Sequence, residues 1–232
     1  MYRSSGSQLS TPYSHYMPTT RASYHHGALR EALLAASMQL IEAEGIGAVS
    51  LRRVAREAGV SAGAPYHHFP DRASLLAALS AQGYQLLADQ LVAARTAASS
   101  PIQALTALIR AYVTFAQQHP GYFRLMFRPE LSEPRKHPDA KAAEDAASDC
   151  LDQAVTDCVH AGVIPAGQAD ALFLTAWSLG HGLASLWLDG ELQESHQDPG
   201  TLTAEVSALV ETLLATARRA GPEPATRHGR PR

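Results

Sequence analysis

The sequence predicts an all-α fold, and three observations lead to that prediction. No stretch alternates apolar and polar residues with the period of a half-buried strand. Apolar residues recur instead at intervals of three and four in several long stretches, as on the buried face of a helix. Clusters of Gly, Pro, Ser and Asp separate these stretches and are typical of turns. We therefore expect a small N-terminal helical unit followed by a larger C-terminal helical body.

The first predicted helix covers about residues 28–44. Its apolar stripe begins at Leu29 and Leu33 and ends at Leu40, and Gly45 with Gly47 would terminate it. The preceding residues 1–23 are rich in Ser, Thr, Tyr and Pro without a helical period, so we expect a disordered tail. Residues 220–232, rich in Pro and Arg, are expected to form a second disordered tail.

The stretch 50–69, SLRRVAREAGVSAGAPYHHF, predicts a helix, a tight turn and a second helix. Ser50 is a natural N-cap, and an apolar face repeats at i, i+3, i+4 and i+7 from Leu51 to Ala58. Gly59 stands where a helix ends at positive φ, and Ser61 could cap the next helix. Two short helices joined by such a turn are typical of the helix-turn-helix of DNA-binding proteins.

The second helix of this motif would enter the major groove. The small residues at 62–64 permit close approach to base edges, and Tyr66 and His67 are long enough to reach a base edge or a phosphate. Pro65 lacks an N–H and disfavours helix at Ala64. The second helix therefore either begins at Pro65 or has a loosened first turn.

Residues 27–87 resemble the DNA-binding domain of the TetR family of transcription regulators. The similar pieces are ALREALLAASMQLIEAEG, SLRRVAREAGVS, YHHF, and the pair Asp71-Arg72 that opens a helix with two leucines. The stretch TAWSLGHGLASLW resembles the Trp-His-Gly signature of one subgroup's regulatory domain. This chain has Ala64-Pro65 where the family usually has Thr-Leu or a similar pair. The resemblance implies a DNA-binding regulator, most often a repressor, that binds a palindromic operator as a dimer.

The resemblance and the reaching side chains together give a set of predicted DNA contacts. Arg72 is expected to hold a phosphate at the start of the fourth helix, and Ser50 is expected to contact phosphate by resemblance. The complete set is Ser50, Arg52, Arg53, Ser61, Ala62, Gly63, Ala64, Tyr66, His67, His68 and Arg72.

The fourth predicted helix, at about 72–97, would belong to both parts of the chain, because its start packs on the DNA-binding unit and its end leads into the body. We predict a DNA-binding domain over 24–87 and a regulatory and dimerisation domain over 88–219. Further helices are expected at about 102–118, 140–160, 168–188 and 201–219, with a short one at YFRLMF and a loop over 128–139. A rigid shared helix could transmit ligand binding to the DNA-binding unit.

The body is rich in aromatic rings, which favours an apolar ligand cavity for a small effector. Each of these residues could instead be ordinary core. The predicted cavity residues are Tyr112, Phe115, Phe123, Met126, Phe127, Phe173, Trp177 and His181.

The last two helices carry more apolar surface than one body can cover. Pairing with a second copy of the chain would form a four-helix interface. The predicted interface residues are Gly180, Gly182, Ala184, Leu209 and Leu213.

Charge supports the division of the chain. Residues 1–70 carry six arginines and four glutamates, whereas the remainder carries thirteen basic and eighteen acidic residues. The positive excess therefore lies on the part expected to face phosphates. The overall charge of −3 argues against nonspecific coating of nucleic acid.

Other classes of protein are weakly supported. The uncharged stretch 171–188 lacks basic flanks and is better read as a buried helix than as a membrane span. No secretory signal is evident. Cys150 and Cys158 lie too far apart on one predicted helix to form a disulfide, which suggests a reducing cytoplasm. No cofactor, metal site or catalytic arrangement is predicted, although an enzyme on a helical bundle and an interaction module that no longer binds DNA stay as alternatives.

Overall fold

The computed structural model of the chain describes residues 21–133, 136–194 and 198–220, and helices with their turns make up these ranges. No strand occurs within them, in agreement with the predicted all-α class. Residues 1–20 and 221–232, most of the two predicted disordered tails, lie outside the described ranges.

The N-terminal unit, here called the head, begins with two helices. Helix α1 covers Arg21–Glu44 and α2 covers Leu51–Glu57, with a 3-10 turn at Ile46–Ala48 between them. Ser50 caps α2, because its hydroxyl accepts the backbone N–H of Arg53 at 3.3 Å. Helix α1 begins seven residues before the predicted start at 28, so the expectation of disorder is wrong for residues 21–23.

The second helix of the predicted helix-turn-helix is reduced to one 3-10 turn at Ala64–His67. Gly59, at a φ of 68°, ends α2 as expected, but no helix follows from Ser61. Pro65 explains the reduction, because it cannot donate a backbone hydrogen bond and restricts the residue before it. The prediction of a helix or a loosened helix here is therefore corrected to a single tight turn.

Helix α3, Arg72–Thr96, joins the head to the body. Asp71 is its N-cap and accepts the backbone N–H and the hydroxyl of Ser74, each at 2.7 Å. These hydrogen bonds, chiefly the one from the Ser74 backbone, lower the pKa of Asp71 below its usual value. The predicted boundary between residues 87 and 88 falls inside α3, and the domain limits stay a prediction.

The body consists of the rest of α3 and the helices that follow. Helices α4 and α5 cover Pro101–Gln118 and Pro120–Met126, and a short helix α6 covers Pro129–Ser132 where a loop was expected. Helix α7 covers Pro138–His160, α8 covers Ala169–Leu188 and α9 covers Pro199–Ala220. Helix α3 packs against α4 and α7, and α4 also packs against α8 and α9.

Two hydrophobic clusters lie along α3. The head core contains its first half together with residues of α1 and α2, and Leu75, Leu76 and Leu79 are fully buried in it. The body core contains Tyr84, Leu87 and other residues of the second half. Leu125 of α5 belongs to the head core, so a body helix completes it.

Candidate nucleic-acid interface and ligand cavity

The 3-10 turn of the head holds its side chains outward on a buried base. Pro65 and Phe69 are buried, and the carbonyl of Pro65 accepts the backbone N–H groups of His68 and Phe69 at 2.9 and 2.8 Å. Tyr66 is 52% exposed and His67 is exposed beside it. Ser61, Ala62 and Gly63 are exposed as well, whereas Ala64 and His68 are half-buried. Most of the predicted contact residues thus form one accessible surface, and their contacts with DNA stay predictions.

The two arginines predicted in α2 differ in their surroundings. Arg52 is exposed, with Arg56 also exposed one turn later. Arg53 forms an ion pair with Glu44 at the end of α1, so its charge is partly neutralised within the head. Arg52 is therefore better placed than Arg53 to offer a full positive charge to a phosphate.

Arg72 has hydrogen-bond partners within the head that the sequence did not indicate. Its Nε donates to the carbonyl oxygen of Val49 at 2.9 Å, and a terminal nitrogen donates to that of Ile46 at 2.8 Å. The guanidinium therefore ties the start of α3 to the turn before α2. A contact of its remaining N–H groups with a DNA phosphate stays a prediction.

A cavity of about 230 Å³ lies within the body between α3, α4, α7 and α8. Four of the eight predicted cavity residues line it, and all four are aromatic: Tyr112, Phe127, Phe173 and Trp177. Tyr84 of α3 adds a fifth ring. Five rings around one space give the mostly apolar lining that a small-molecule site requires.

The other four predicted residues do not line the cavity. Phe115 is fully buried in the body core, where its ring packs 5.2 Å from that of His119, and Phe123 and Met126 are buried in the same core. His181 contacts two of the lining residues without lining the cavity itself. Its Nδ1 is 2.9 Å from the hydroxyl of Tyr112, and its ring centroid is 4.6 Å from that of Phe127. Burial lowers the pKa of His181, which favours a neutral ring that holds Tyr112 in place.

Several lining residues were missed by the sequence reading. Helix α7 contributes Glu144, Ala147, Ser148 and Leu151, which repeat at i, i+3, i+4 and i+7. Helix α3 contributes Leu87 and Leu91 beside Tyr84, and the remaining lining residues are Leu108, Ile109, Ala176 and Gly180. The helical period could have indicated the α7 face, but only the packing of α7 on α3 turns it toward the rings.

The five predicted interface residues differ in exposure: some are buried inside the chain and others lie on its surface. Gly180 and Ala184 are buried inside the chain, and a Cβ at Gly180 would lie 3.6 Å from the Tyr112 ring. Gly180 faces Tyr112 of α4, and Ala184 belongs to the body core, so neither is exposed for the interface with a second chain that the sequence predicted. Leu209 and Leu213 are 59% and 60% exposed, and Gly182 is half-buried with open space beside it.

The apolar stretch Ala166–Leu188 is long enough to cross a membrane, and within the described residues it alone meets that test. Only 17% of its most apolar window is buried in one chain. Leu174 and Leu186 on its exposed side, like Leu209 and Leu213 on α9, are large apolar residues that the chain itself leaves uncovered. Exposed apolar residues of this kind are typical of an interaction surface, and the predicted pairing with a second chain stays a prediction.

The described residues offer little for metal binding or for a reactive thiol. No three His, Cys, Asp or Glu side chains among them come together as a metal site. Cys150 and Cys158 are buried free thiols, and burial raises the pKa of both, to about 11 for Cys158.

Two family models match the chain at its two ends. The model described as "Bacterial regulatory proteins, tetR family" matches residues 33–79, which form most of the head. The model described as "Tetracyclin repressor-like, C-terminal domain" matches residues 105–213, which run from α4 to α9. The head and the body therefore both carry the features of one family, in the order in which that family has them.

Individual relatives agree with this assignment. The chain is 38% identical over 81 residues to the HTH-type transcriptional regulator BetI of Rhizobium meliloti (strain 1021), a match that covers 35% of this chain and 40% of the relative's length. A solved structure of a protein of unknown function from Rhodococcus sp. RHA1 is 36% identical, with a TM-score of 0.72, and the match covers 83% of this chain and 98% of that one. The regulator FadR from Bacillus subtilis, solved in complex with stearoyl-CoA, has a TM-score of 0.65 at 16% identity, covering 78% and 97% of the two chains, and shows the shared fold. The matched models and the two-part helical architecture together show that the chain belongs to the TetR family of DNA-binding transcriptional regulators.

Proposed function

We propose that this regulator is a ligand-responsive repressor, which binds a palindromic operator as a homodimer and is released by a small, largely apolar effector. One observation carries the proposal: the aromatic cavity and the head core share helix α3. Tyr84, Leu87 and Leu91 line the cavity, while Leu75, Leu76 and Leu79 lie in the head core. A molecule that fills the cavity therefore contacts the helix on which the head is built.

The DNA contact is proposed for the exposed side of the head. Tyr66 and His67 project from the 3-10 turn, and Arg52 and Arg56 lie exposed on α2. In this arrangement, the arginines supply electrostatic attraction to phosphates, and the turn supplies contacts to base edges. The family's usual second helix is shortened here, so we expect few base contacts and a correspondingly large contribution from phosphates.

The dimer is proposed to form through the outer faces of α8 and α9. Leu174, Leu186, Leu209 and Leu213 are exposed large apolar residues on these two helices. A two-fold interface would pair this surface with itself and form a bundle of four helices. Two heads held in this way can reach successive major grooves, roughly 34–36 Å apart. Association with DNA implies that the protein works in the cytoplasm.

The effector acts, in this proposal, by its different affinity for two conformations of the dimer. A ligand that fits the cavity better when α3 is displaced favours head positions that no longer match the operator. Linkage then requires that operator DNA weaken effector binding by the same factor by which effector weakens DNA binding. The FadR structure shows that the shared fold can be solved with a ligand that has a long apolar chain, stearoyl-CoA, although a cavity of about 230 Å³ has room for only a much smaller molecule.

The test is binding to a labelled fragment of the DNA upstream of the protein's own coding region, followed by fluorescence anisotropy at fixed salt. We expect saturable binding that exceeds binding to a shuffled fragment of equal length by at least about a thousandfold. Equal affinity for both fragments would contradict the proposed operator recognition.

A screen of small apolar compounds for release of the fragment then tests the effector. Compounds that release wild-type protein are repeated on Trp177→Ala, which changes the cavity wall, and on His160→Ala, an exposed position on α7 away from the lining. We expect loss of the response only in the first variant. Release that is equally strong in both variants would show that the effector site lies elsewhere.

A further inference from the structure

The cavity is lined by an acidic side chain and by no basic one. Glu144 is its charged lining residue, and no Lys, Arg or His is among the lining residues. Ser148, the two tyrosine hydroxyls and the indole N–H of Trp177, which hydrogen-bonds to the Tyr112 hydroxyl, supply the remaining side-chain polar atoms. An anionic ligand would thus meet a carboxylate and no compensating cation.

The two tyrosine hydroxyls already have hydrogen-bond partners within the protein. Tyr84 donates to the carbonyl oxygen of Met126 at 3.2 Å, and the Tyr112 hydroxyl pairs with Nδ1 of His181 at 2.9 Å. Burial raises the pKa of both phenols, and the negative charge of Glu144 adds to the rise at Tyr84, so both oxygens stay neutral. Because Tyr84 has used its hydrogen, it leaves a ligand only lone pairs, which are acceptors.

Nearby basic residues do not cancel the negative charge of Glu144 at the cavity. Lys141, one turn before Glu144, lies 3.8 Å from its carboxylate but also pairs with Asp145, and it does not line the cavity. The same helix carries Asp149 and Asp152 on its exposed side. The side of the cavity formed by α7 is therefore acidic, and the field there favours a cation.

The aromatic lining favours the same class of ligand. The rings of Tyr84, Tyr112, Phe127, Phe173 and Trp177 surround the space that Glu144 borders. Ring faces attract a cation, and this attraction is strongest where the cation has lost its water. A carboxylate beside several rings combines a charged hydrogen-bond acceptor with these faces.

The size of the cavity limits the ligand further. An engineered apolar cavity of roughly 150 Å³ holds one benzene molecule. Scaled from that case, a volume of 230 Å³ accommodates about nine non-hydrogen atoms, and the exposed lining residues Ser148 and Trp177 leave the cavity partly open to solvent. One aromatic ring with a two-carbon amine has this size.

We propose that the effector is a small protonated arylalkylamine, whose ammonium group binds Glu144 and whose ring lies among the five aromatic residues. This inference rests on the proposed function, because it names the ligand class of the same regulatory cavity. The proposed ligand class differs from the stearoyl-CoA bound to FadR of Bacillus subtilis. The negative charges of an acyl-CoA would be repelled by Glu144.

Three compounds of nearly equal size test the inference directly: phenethylamine, phenethyl alcohol and phenylacetate. Their dissociation constants are measured without DNA, from the fluorescence of a Trp187→Phe protein in which Trp177 is the single tryptophan. We expect the amine to bind at least about tenfold more tightly than the alcohol, and the anion to bind most weakly.

Glu144→Gln keeps the size of the side chain and removes its charge, and Asp152→Asn is the matched control at an exposed position on the same helix. In Glu144→Gln the preference for the amine over the alcohol should disappear, while the affinity for the alcohol stays within about twofold. Asp152→Asn should keep the preference. Unchanged thermal unfolding midpoints would show that both variants are folded.

The inference is overturned if phenylacetate binds more tightly than phenethylamine, if Glu144→Gln keeps the amine preference, or if the amine does not bind at millimolar concentration. None of these results would affect operator binding, which is measured with the labelled DNA fragment. Failure of the ligand class and failure of the regulatory function are therefore separate outcomes.

Discussion

The head core and the body core lie along the same helix and differ in composition. The head core is almost entirely aliphatic, with Phe69 as its buried aromatic residue, and Leu33, Leu75, Leu76 and Leu79 are fully buried in it. The body core is built around Tyr84, Tyr112, Phe115 and Phe123 and borders the cavity. Aliphatic side chains thus pack between α1, α2 and the first half of α3, whereas aromatic rings border the cavity between α3, α4, α7 and α8.

This difference matches the separate demands on the two regions. A head that must fit fixed groove geometry gains from a core with a single packing. A body that must accept a ligand needs a space that the protein does not fill itself. The four experiments below test this contrast, from the largest expected effect to the smallest.

Leu209→Arg should separate the dimer without unfolding either core. Residue 209 is exposed in one chain, and a guanidinium buried without a partner in an interface costs about 3–5 kcal/mol. A two-fold interface carries the change twice. We expect monomers in sedimentation velocity and loss of specific DNA binding, since each head alone makes too few contacts. Thr156→Arg, on the exposed side of α7, is the control and should stay dimeric. A dimeric Leu209→Arg protein would place the interface on another face.

Leu75→Ala and Leu87→Ala compare the two cores by the same change of side chain. Leu75 is enclosed by the head core, so its truncation should lower the free energy of unfolding by about 4 kcal/mol. Leu87 borders the existing cavity, where fewer contacts are lost, and about 2.5 kcal/mol is expected. Denaturant unfolding at equal protein concentration measures both. Equal losses would argue that the two cores are equally well packed.

Tyr66→Ala tests whether a surface residue of the head contributes to DNA binding by direct contact, without a contribution to the stability of the head core. Tyr66 is half exposed, so its loss should leave the unfolding midpoint unchanged. We expect operator affinity to fall by about 2 kcal/mol. The measurement is anisotropy titration at fixed salt with His160→Ala as the body control. An unchanged affinity would remove Tyr66 from the contact surface.

Asp71→Ala tests the junction between the two regions and should have the smallest effect, about 1 kcal/mol of stability from the lost N-cap. Asp71→Asn keeps an acceptor for Ser74 and should recover most of it. The pKa of Asp71 is lowered in the folded protein, so the stabilisation from its charge is present above the ordinary pKa near 3.8 and is lost as the pH falls through the lower folded value. The gap between Asp71→Ala and wild type should therefore narrow in acid. A gap that widens there would contradict the cap.

The helices of this protein are largely determined by local sequence. Ser50 caps α2 as expected, Asp71 caps α3 at the pair that the sequence placed at its start, and the predicted end of α3 differs from the observed one by a single residue. Caps, glycines and prolines act within one turn of the chain, so helix ends can be predicted from a few neighbouring residues. Pro65 predicts a disturbed start of the second helix. The length of the turn that actually forms depends on how Pro65 and Phe69 are buried against the head, which local sequence does not determine.

The sites were less predictable because they depend on which faces meet. Gly180 was expected at a subunit interface and instead packs on Tyr112, since the direction in which α8 turns is set by α4. The hydrogen bonds of Arg72 to carbonyls more than twenty residues earlier depend on a fold that brings them together, and its neighbouring residues do not indicate them. Glu144 stands among alanines and one aspartate that form no motif, and the aromatic residues that share its cavity come from other helices.

The place of Leu125 in the head core has a consequence for the order in which the chain folds during synthesis. Leu125 is fully buried there, although it follows Leu79, the preceding member of that core in the chain, by 46 residues. At translation rates of roughly 5–20 residues per second, that interval lasts about 2–9 s. For that time the nascent head has an open apolar site that only a later part of the chain can fill. The N-terminal unit therefore cannot complete its folding ahead of the body, and its apolar surface is open to chaperones or to wrong partners until α5 is made.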